Sequence, residues 1–265
     1  MDKNPIALAK IMAENEALLQ SNRELKAHNK ELSLFNYVAS HDLQEPLRKM
    51  HTFVKMIADD KDNHISGDSA IYIERILVSA SRMQRLIEDL LHYSHVDTLH
   101  ENGYELSDIN IIVQDALTDF NETIKNTRAK VTVTTLPNIK LIPPLVYQVI
   151  HNLIGNALKY RNKDEQPILR ISYELANREE IAPIEGKHEH ADYYKIIIAD
   201  NGIGFLQEQS ELIFEPFQRL HSKDKYEGTG IGLAICKKIM TRHKGYITAQ
   251  SNPGRGTKFN LYFPV

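Results

Sequence analysis

The C-terminal half of this 265-residue chain holds an aspartate, two asparagines and three groups of glycines whose spacing could do chemistry. DNGIGF (200–205) follows Ile196, Ile197 and Ile198, which read as the end of a buried strand. An acid in that position needs a partner. A carboxylate there could accept the amino hydrogen of adenine, which guanine does not offer at that edge. Gly202 and Gly204 would let the backbone approach such a ligand closely. Alone, the stretch would be an ordinary Asp-Asn-Gly turn. GTGIGL (228–233) opens a helix, and glycines there present backbone N–H groups to an anion, helped by the helix dipole. It fits neither the GxxxxGK[ST] phosphate loop nor the GxGxxG dinucleotide fingerprint. A third pair, Gly254 and Gly256 in GRGTKF, would by itself be a hairpin turn. In HNLIGNALKYR, Asn152 and Asn156 lie one helical turn apart on one face, with Lys159 and Tyr160 on the next turn. Side-chain amide oxygens suit Mg²⁺, which takes hard oxygen donors and phosphates. A lysine beside them could meet phosphate charge.

A second candidate lies far upstream, in FNYVASHDLQEPLRKM (35–50). Stepping about 100° per residue, Phe35, Leu43, Leu47, Met50, Phe53, Val54 and Ile57 form one apolar stripe, as in a bundle-facing helix. His41 projects to the opposite side, with Glu45, Arg48 and Thr52, and should face solvent. Leu34 and Val38 lie towards that side and do not fit the stripe. Pro46 cannot donate to the carbonyl of Asp42 and its ring pushes that carbonyl away, so a bend is expected just below His41.

These residues need elements to hold them. Ile11, Leu18, Leu25 and Leu32 recur every seven residues, one seam of a left-handed coiled coil. Asn15, Asn22 and Asn29 occupy the companion positions, which weakens the coil but can fix register; a single solvated helix is the alternative. Leu32 projects onto the stripe of the next helix, so the two could be continuous. After DDKDNHISGD, Asp68 or Ser69 could cap another helix, with Ile73, Ile76, Leu77, Ala80, Met83, Ile87, Leu90 and Leu91 as its stripe. Such a hairpin buries one face poorly, and two copies packed as a four-helix bundle would complete it. From Tyr104 the pattern turns to mixed α and β. Asp108 can cap a helix through about Thr127, KVTVTTL reads as a strand, and PPLVYQVIHNLIGNALKYR reads as a helix entered through prolines. PILRISYEL and YYKIIIAD read as strands around a polar loop. The helix after GTGIGL stops near Gly245. YITAQS and GTKFNLYF close the chain as a hairpin. The fold class is therefore a helical N-terminal part followed by a two-layer α/β sandwich.

Composition narrows the function classes. A formal charge of −3, with 25% charged residues, lacks the basic excess of a nucleic-acid binder. There is no apolar run of about twenty residues, hence no membrane span, and no signal-peptide core at the N-terminus. One cysteine, Cys236, excludes an internal disulfide and fits a reducing, cytoplasmic setting. His188 and His190 in KHEHAD lack a set of metal ligands.

Together the motifs resemble the histidine kinases of bacterial two-component systems, over nearly the whole chain after the leader. SHDLQEPLR looks like the phosphoacceptor box, in the form found in phytochrome-like and hybrid sensor kinases. HNLIGNALKY looks like the asparagine box. DNGIGF, FEPF, GTGIGLAI and GRGT look like the glycine and phenylalanine boxes, in family order. The resemblance implies a coiled-coil input helix over 1–33, a dimerising phosphoacceptor hairpin over 34–97, a linker over 98–105, and a catalytic ATP-binding domain of the gyrase, chaperone and histidine-kinase type over 106–265. It implies that His41 accepts the γ-phosphoryl group of Mg-ATP and that Asp42 orients the imidazole or takes its proton. Asn156 would ligate Mg²⁺, and Asn152 and Lys159 would lie by the phosphates. Tyr160 would flank the adenine, and Asp200 would read its amino group. Gly202 and Gly204 would shape that pocket, and Thr257 would support Asp200. Gly228, Gly230 and Gly232 would hinge a lid over about 208–226, anchored by Phe214 and Phe217, and face the phosphates, with Leu233 also among the nucleotide-binding residues. The implied partners are a second copy of the chain and a response regulator receiver domain. An upstream sensor, absent from this sequence, would make the chain part of a longer receptor. Glu45 departs from the threonine or asparagine of kinases that also dephosphorylate their partner, so weak phosphatase activity is expected. Two alternatives stay open: another ATPase of the same fold, and an ATP-binding scaffold that does not turn over.

Overall fold

The computed structural model describes residues 15, 18, 21, 47–58, 68–96, 103–177, 181, 192–220 and 228–265. The chain divides into two compact units, Met1–Thr98 and Leu99–Val265.

In the first unit, Asn15, Leu18 and Ser21 are helical and exposed. The rest of the heptad seam lies outside the described residues, as do His41, Asp42, Glu45 and Pro46. Helix α1 covers 47–58 and α2 covers Asp68–His95. The α2 stripe is only half satisfied within one chain. Ala80 is buried, and Ile73, Leu77, Ile87, Leu90 and Leu91 are half-buried, but Ile76 and Met83 stay exposed. On α1, Leu47 is buried while Met50, Phe53 and Ile57 are exposed, Phe53 at 60%.

The second unit is the expected two-layer sandwich. Its main sheet has the order β2-β4-β5-β7-β6, built from β2 (Lys130–Val133), β4 (Ile168–Asn177), β5 (Asp192–Asp200), β7 (Gly256–Pro264) and β6 (Tyr246–Asn252). Among the described strands of this sheet, only β2 and β4 run parallel. Three helices form the second layer: α3 (Ile109–Asp119), α5 (Pro143–Lys159) and α6 (Gly232–Arg242). Ile171 of β4, Ile198 of β5 and Phe259 of β7 lie abreast, as do Ile196 and Leu261, and all five are buried. Helix α5 meets both neighbours through Leu145, Val146, Val149, Ile150, Leu153, Ile154, Ala157 and Leu158. It starts at Pro143, where a missing N–H is no loss.

Four local features depart from the sequence reading. Asp108 does cap α3, its carboxylate accepting the Asn110 N–H at 2.8 Å, but the helix stops at Phe120 instead of running through to Thr127. The Phe120 N–H turns back to the Leu117 carbonyl and a separate helix α4 (Asn121–Thr127) follows. The break seats the Phe120 ring against α5, where a β-carbon on Gly155 would lie 3.2 Å from it. Two short strands, β1 (Glu105–Asp108) and β3 (Asn138–Leu141), pair antiparallel beside the main sheet, so strand begins inside the expected linker. At the end of α6, Lys244 takes the left-handed position (φ 54°), and Gly245 is required for a different reason: a β-carbon there would meet the Tyr262 carbonyl oxygen at 2.1 Å. Finally, the polar insertion after β4 contributes to packing. Ile181 is fully buried with Ala176, Tyr193 and Tyr262 on the sheet face away from the helices.

Candidate functional site

The site residues converge where α5 ends. Asp200 closes β5, and its Oδ1 accepts the Gly202 N–H at 2.7 Å and the Thr257 N–H at 3.2 Å. Burial pushes its carboxyl up to about 6, against the opposing pull of those two N–H groups. The acid is thus fixed in direction yet reluctant to ionise, which suits a carboxylate waiting for a donor. Gly202 has to be glycine: a β-carbon there would lie 2.4 Å from the Tyr160 carbonyl oxygen. The same carbonyl accepts the Ile203 N–H at 2.9 Å. Gly204 (φ 59°) is equally constrained, because a β-carbon would meet the Asn252 carbonyl oxygen at 2.1 Å. So the DNGIG loop is pressed between the end of α5 on one side and the β6–β7 turn on the other.

Helix α5 presents the polar residues along one side. Asn152 donates through Nδ2 to the Gly232 carbonyl at 3.2 Å, and its Nδ2 lies 3.8 Å from Cys236 Sγ. Burial pushes the Cys236 thiol up to about 12, which keeps it an inert, small apolar group. Asn156 follows one turn later, its backbone carbonyl accepting the Tyr160 N–H. Among the described residues, no hydrogen bond ties its side-chain amide, in contrast to Asn152. Lys159 Nζ lies 2.9 Å from the Tyr160 hydroxyl and 4.4 Å from the centre of that ring. It also lies where a β-carbon on Gly228 would approach to 2.8 Å. The ammonium therefore reaches the GTGIG loop from the α5 side.

That loop leads into α6, which begins at Gly232. Gly228 (φ 147°) and Gly230 (φ 83°) have the positive φ that side chains resist. Leu233 is half-buried in the first turn of α6. Before the loop, Phe214 is buried edge-on to Phe259, with ring centres 6.5 Å apart. Phe217, paired with it as an expected lid anchor, is 61% exposed and has φ 65°. Arg219 Nη1 donates to the Gly228 carbonyl at 2.9 Å, and Lys237 pairs with Glu215 at 3.3 Å. Residues 221–226 of the expected lid lie outside the described residues.

Asp200, Gly202 and Thr257 are joined by hydrogen bonds, and Gly202 packs on the Tyr160 carbonyl. Tyr160 meets Lys159, whose ammonium lies by Gly228. Asn152 and Gly232 form a separate pair, Gly204 packs on the Asn252 carbonyl, and Asn156 lies on α5 between Asn152 and Lys159. Gly230 stands slightly apart, close to the Gln218 carbonyl. One contributor escaped the sequence reading. The Ser251 hydroxyl is 3.0 Å from Thr257 Oγ1, donates to the Gly256 carbonyl at 2.9 Å, and accepts the Phe205 N–H at 3.0 Å. It fastens the aspartate's support to the glycine loop, and a lone serine in a strand gives no signal of that.

Family comparison agrees with this geometry. Residues 142–265 match the family described as histidine kinase-, DNA gyrase B-, and HSP90-like ATPase, and residues 31–99 match the His Kinase A (phospho-acceptor) domain. The chain belongs to the sensor histidine kinases. It is 35% identical to the phytochrome-like protein Cph1 of Synechocystis sp. over 96% of its length, and 35% identical to cyanobacterial phytochrome A of Nostoc sp. over the same share. It spans about a third of those relatives, 32% and 31% respectively. The solved structure of full-length ShkA in complex with AMPPNP matches with a TM-score of 0.62 at 18% identity, over 86% of this chain and 45% of that one; this likeness shows the fold. Among the described residues, no helix is long and apolar enough to cross a membrane.

Proposed function

We propose that the chain is the transmitter of a two-component system, an ATP-dependent protein-histidine kinase. The observation that carries this reading is the convergence at the end of α5. Asp200 is held by two N–H groups on one side, while Asn152, Asn156 and Lys159 line the helix leading to the glycine loop on the other. An adenine amino group would donate to Asp200, with Tyr160 beside the base. The phosphates would then run towards Lys159 and the N–H groups at the start of α6. Asn156 fits a magnesium ion, since its amide oxygen is a hard donor free of described partners. When bound, that ion supplies charge neutralisation to the phosphates.

The rest is positioning. A ring nitrogen of neutral His41 attacks the γ-phosphorus, and the bond from that phosphorus to the β–γ bridging oxygen breaks. ADP leaves with the electron pair. Histidine's usual pKa near 6.5 leaves enough neutral imidazole at pH 7. Asp42, its neighbour, holds the reactive tautomer and takes up the ring proton or supports the cation. The phosphoryl group then passes to an aspartate of a receiver domain. The half-exposed stripes of α1 and α2 support a second copy of the chain as the partner that completes a four-helix bundle.

The direct test is incubation with γ-labelled Mg-ATP. Label that is acid-labile, alkali-stable and lost in both His41→Gln and Asn156→Ala is the expected result. Label surviving His41→Gln would show that another residue is the acceptor. Absence of label from a parent chain that binds ATP would favour the scaffold.

A further inference from the structure

Strand β6 is an edge of the main sheet, with no neighbouring strand on one side among the described residues. Its inner side pairs with β7, Ala249 opposite Phe259 and Ser251 opposite Thr257. On the outer side, the Ala249 carbonyl and the Ser251 N–H are the adjacent acceptor and donor that a further strand would bond. Gln207 bonds both. Its Nε2 donates to the Ala249 carbonyl at 3.1 Å, and its Oε1 accepts the Ser251 N–H at 2.9 Å. A carboxamide carries the same donor and acceptor as a peptide group, so this side chain stands in for one unit of a missing strand.

Gln207 is five residues past Gly202, in the 3₁₀ turn Gln207–Gln209 that begins the path to the lid. The chain between them docks on the same stretch of β6 and its turn. Ile203 accepts the Gly254 N–H at 2.7 Å, Gly204 packs on the Asn252 carbonyl, and the Phe205 N–H donates to Ser251 Oγ at 3.0 Å. Ile203, Phe205 and Gln207 are alternate residues, each fastened to 249–254 by a different group. Ser251 then connects to Thr257, whose N–H holds Asp200.

We propose that Gln207 is a positioning residue for the nucleotide site. Its amide clamps the loop carrying Gly202 and Gly204 onto the free edge of β6, and so holds the loop in register with Asp200. The proposal rests on the reading of this site as the adenine pocket. It concerns affinity for the base and not the transfer step, because the Gln207 side chain bonds Ala249 and Ser251 of β6, on the Asp200 side of the site.

Two variants of the full chain separate the possibilities. Gln207→Met keeps the length and removes both bonds; Gln207→Glu keeps the acceptor and loses the donor. Both bonds hold the loop rather than the base, so their loss acts on affinity indirectly; a five- to tenfold loss is about 1–1.4 kcal/mol. Gln207→Met is therefore expected to raise the Kd of a fluorescent ATP analogue about five- to tenfold, and the KM for ATP with it. The kcat of autophosphorylation should stay within about twofold. The Ser251 amide should exchange with deuterium at least about tenfold faster than in the parent. Gln207→Glu should raise the Kd as well, because a carboxylate oxygen replaces the donor and faces the Ala249 carbonyl. A Kd within twofold of the parent in Gln207→Met overturns the proposal, as does an unchanged Ser251 exchange rate. If Gln207→Met lowers the melting temperature of the nucleotide-free chain, Gln207→Glu decides on the same two readouts. A parent chain that fails to bind the analogue would instead overturn the adenine-pocket reading itself.

Discussion

At the scale of single residues, Asp200 shows the tension between stability and binding. Its carboxyl is raised from 3.8 to about 6, chiefly by burial. Between those values the folded chain holds a proton that the unfolded chain has released. The contribution of this group to stability is therefore full below about pH 4 and is lost as pH rises towards 6. Above that, the buried carboxylate destabilises the fold by about 3 kcal/mol. Asp200→Asn keeps an oxygen for the Gly202 and Thr257 N–H groups and removes the charge. Its melting temperature at pH 7.5 should equal or exceed that of the parent, while affinity for ATP falls at least about tenfold. A matched fall in stability would mean that the aspartate serves folding. In the parent, an adenine amino group donating to Asp200 favours the ionised form, so ATP affinity should weaken below about pH 6. Titration calorimetry at pH 5.5 and 7.5 measures that loss, and Asp200→Asn should lack it. Glu45 belongs to this scale too. A phosphorylated receiver domain should lose its label no faster with the chain and ADP than alone, and rapid loss would contradict the expected weak phosphatase activity.

Among elements, legibility in the sequence followed how local the cause was. Asp108 as a cap, the prolines that start α5 and the glycines before α6 act within a turn or two of themselves. They were readable because each depends on its own φ or its own missing hydrogen. The break at Phe120 has no proline or glycine to announce it, because its reason is Gly155, 35 positions later. Strands β1 and β3 are four residues each and hold only one another, too short for an alternating pattern to show. The asparagine and glycine positions of the site were legible from spacing, whereas Ser251 and Gln207 act through contacts that only the sheet creates. His243 is the same kind of residue. It is buried, its Nδ1 lies 2.8 Å from the Ile239 carbonyl, and its Nε2 accepts the Ile142 N–H at 3.0 Å. The ring thus carries its proton on Nδ1 and ties the end of α6 to the start of α5, packed edge-on to Tyr104 and Phe263. Burial lowers its pKa below the usual 6.5. Above pH 6.5 both states are neutral and the stability from this group is complete. As pH falls below 6.5 the unfolded chain takes up the proton first and that stability is lost. His243→Ala should cost about 2–4 kcal/mol in urea unfolding at pH 7.5, from a vacated volume and an orphaned Ile142 N–H. The gap between parent and variant should narrow as pH falls from about 6.5 to 5.5. A constant gap would mean that the lost ring contributes only volume.

At the scale of the molecule, the helical unit and the α/β unit pose different packing problems. The sheet and its helices close their own core around Ile196, Ile198 and Leu261. The hairpin does not: Met50, Phe53, Ile57, Ile76 and Met83 belong to the stripes that a core should cover, yet all are exposed in a single chain. Burying a side chain of this size is worth roughly 1.5–3 kcal/mol. Five from each of two copies would outweigh an association cost of about 4–15 kcal/mol. A dimer through these faces explains why the residues are apolar at all, and it predicts a clean separation of functions. Phe53→Glu combined with Ile57→Glu should leave each chain folded, because neither residue is needed for packing within it. Sedimentation should show the parent as a dimer at micromolar concentration and the double variant as a monomer. ATP affinity should remain within about twofold, since the residues proposed to hold the nucleotide all lie in the second unit. Labelling at the proposed acceptor His41 should fall at least about tenfold in the variant, because α1 would lose the bundle that steadies it. A parent that sediments as a monomer would leave the exposed stripes without the partner assigned to them.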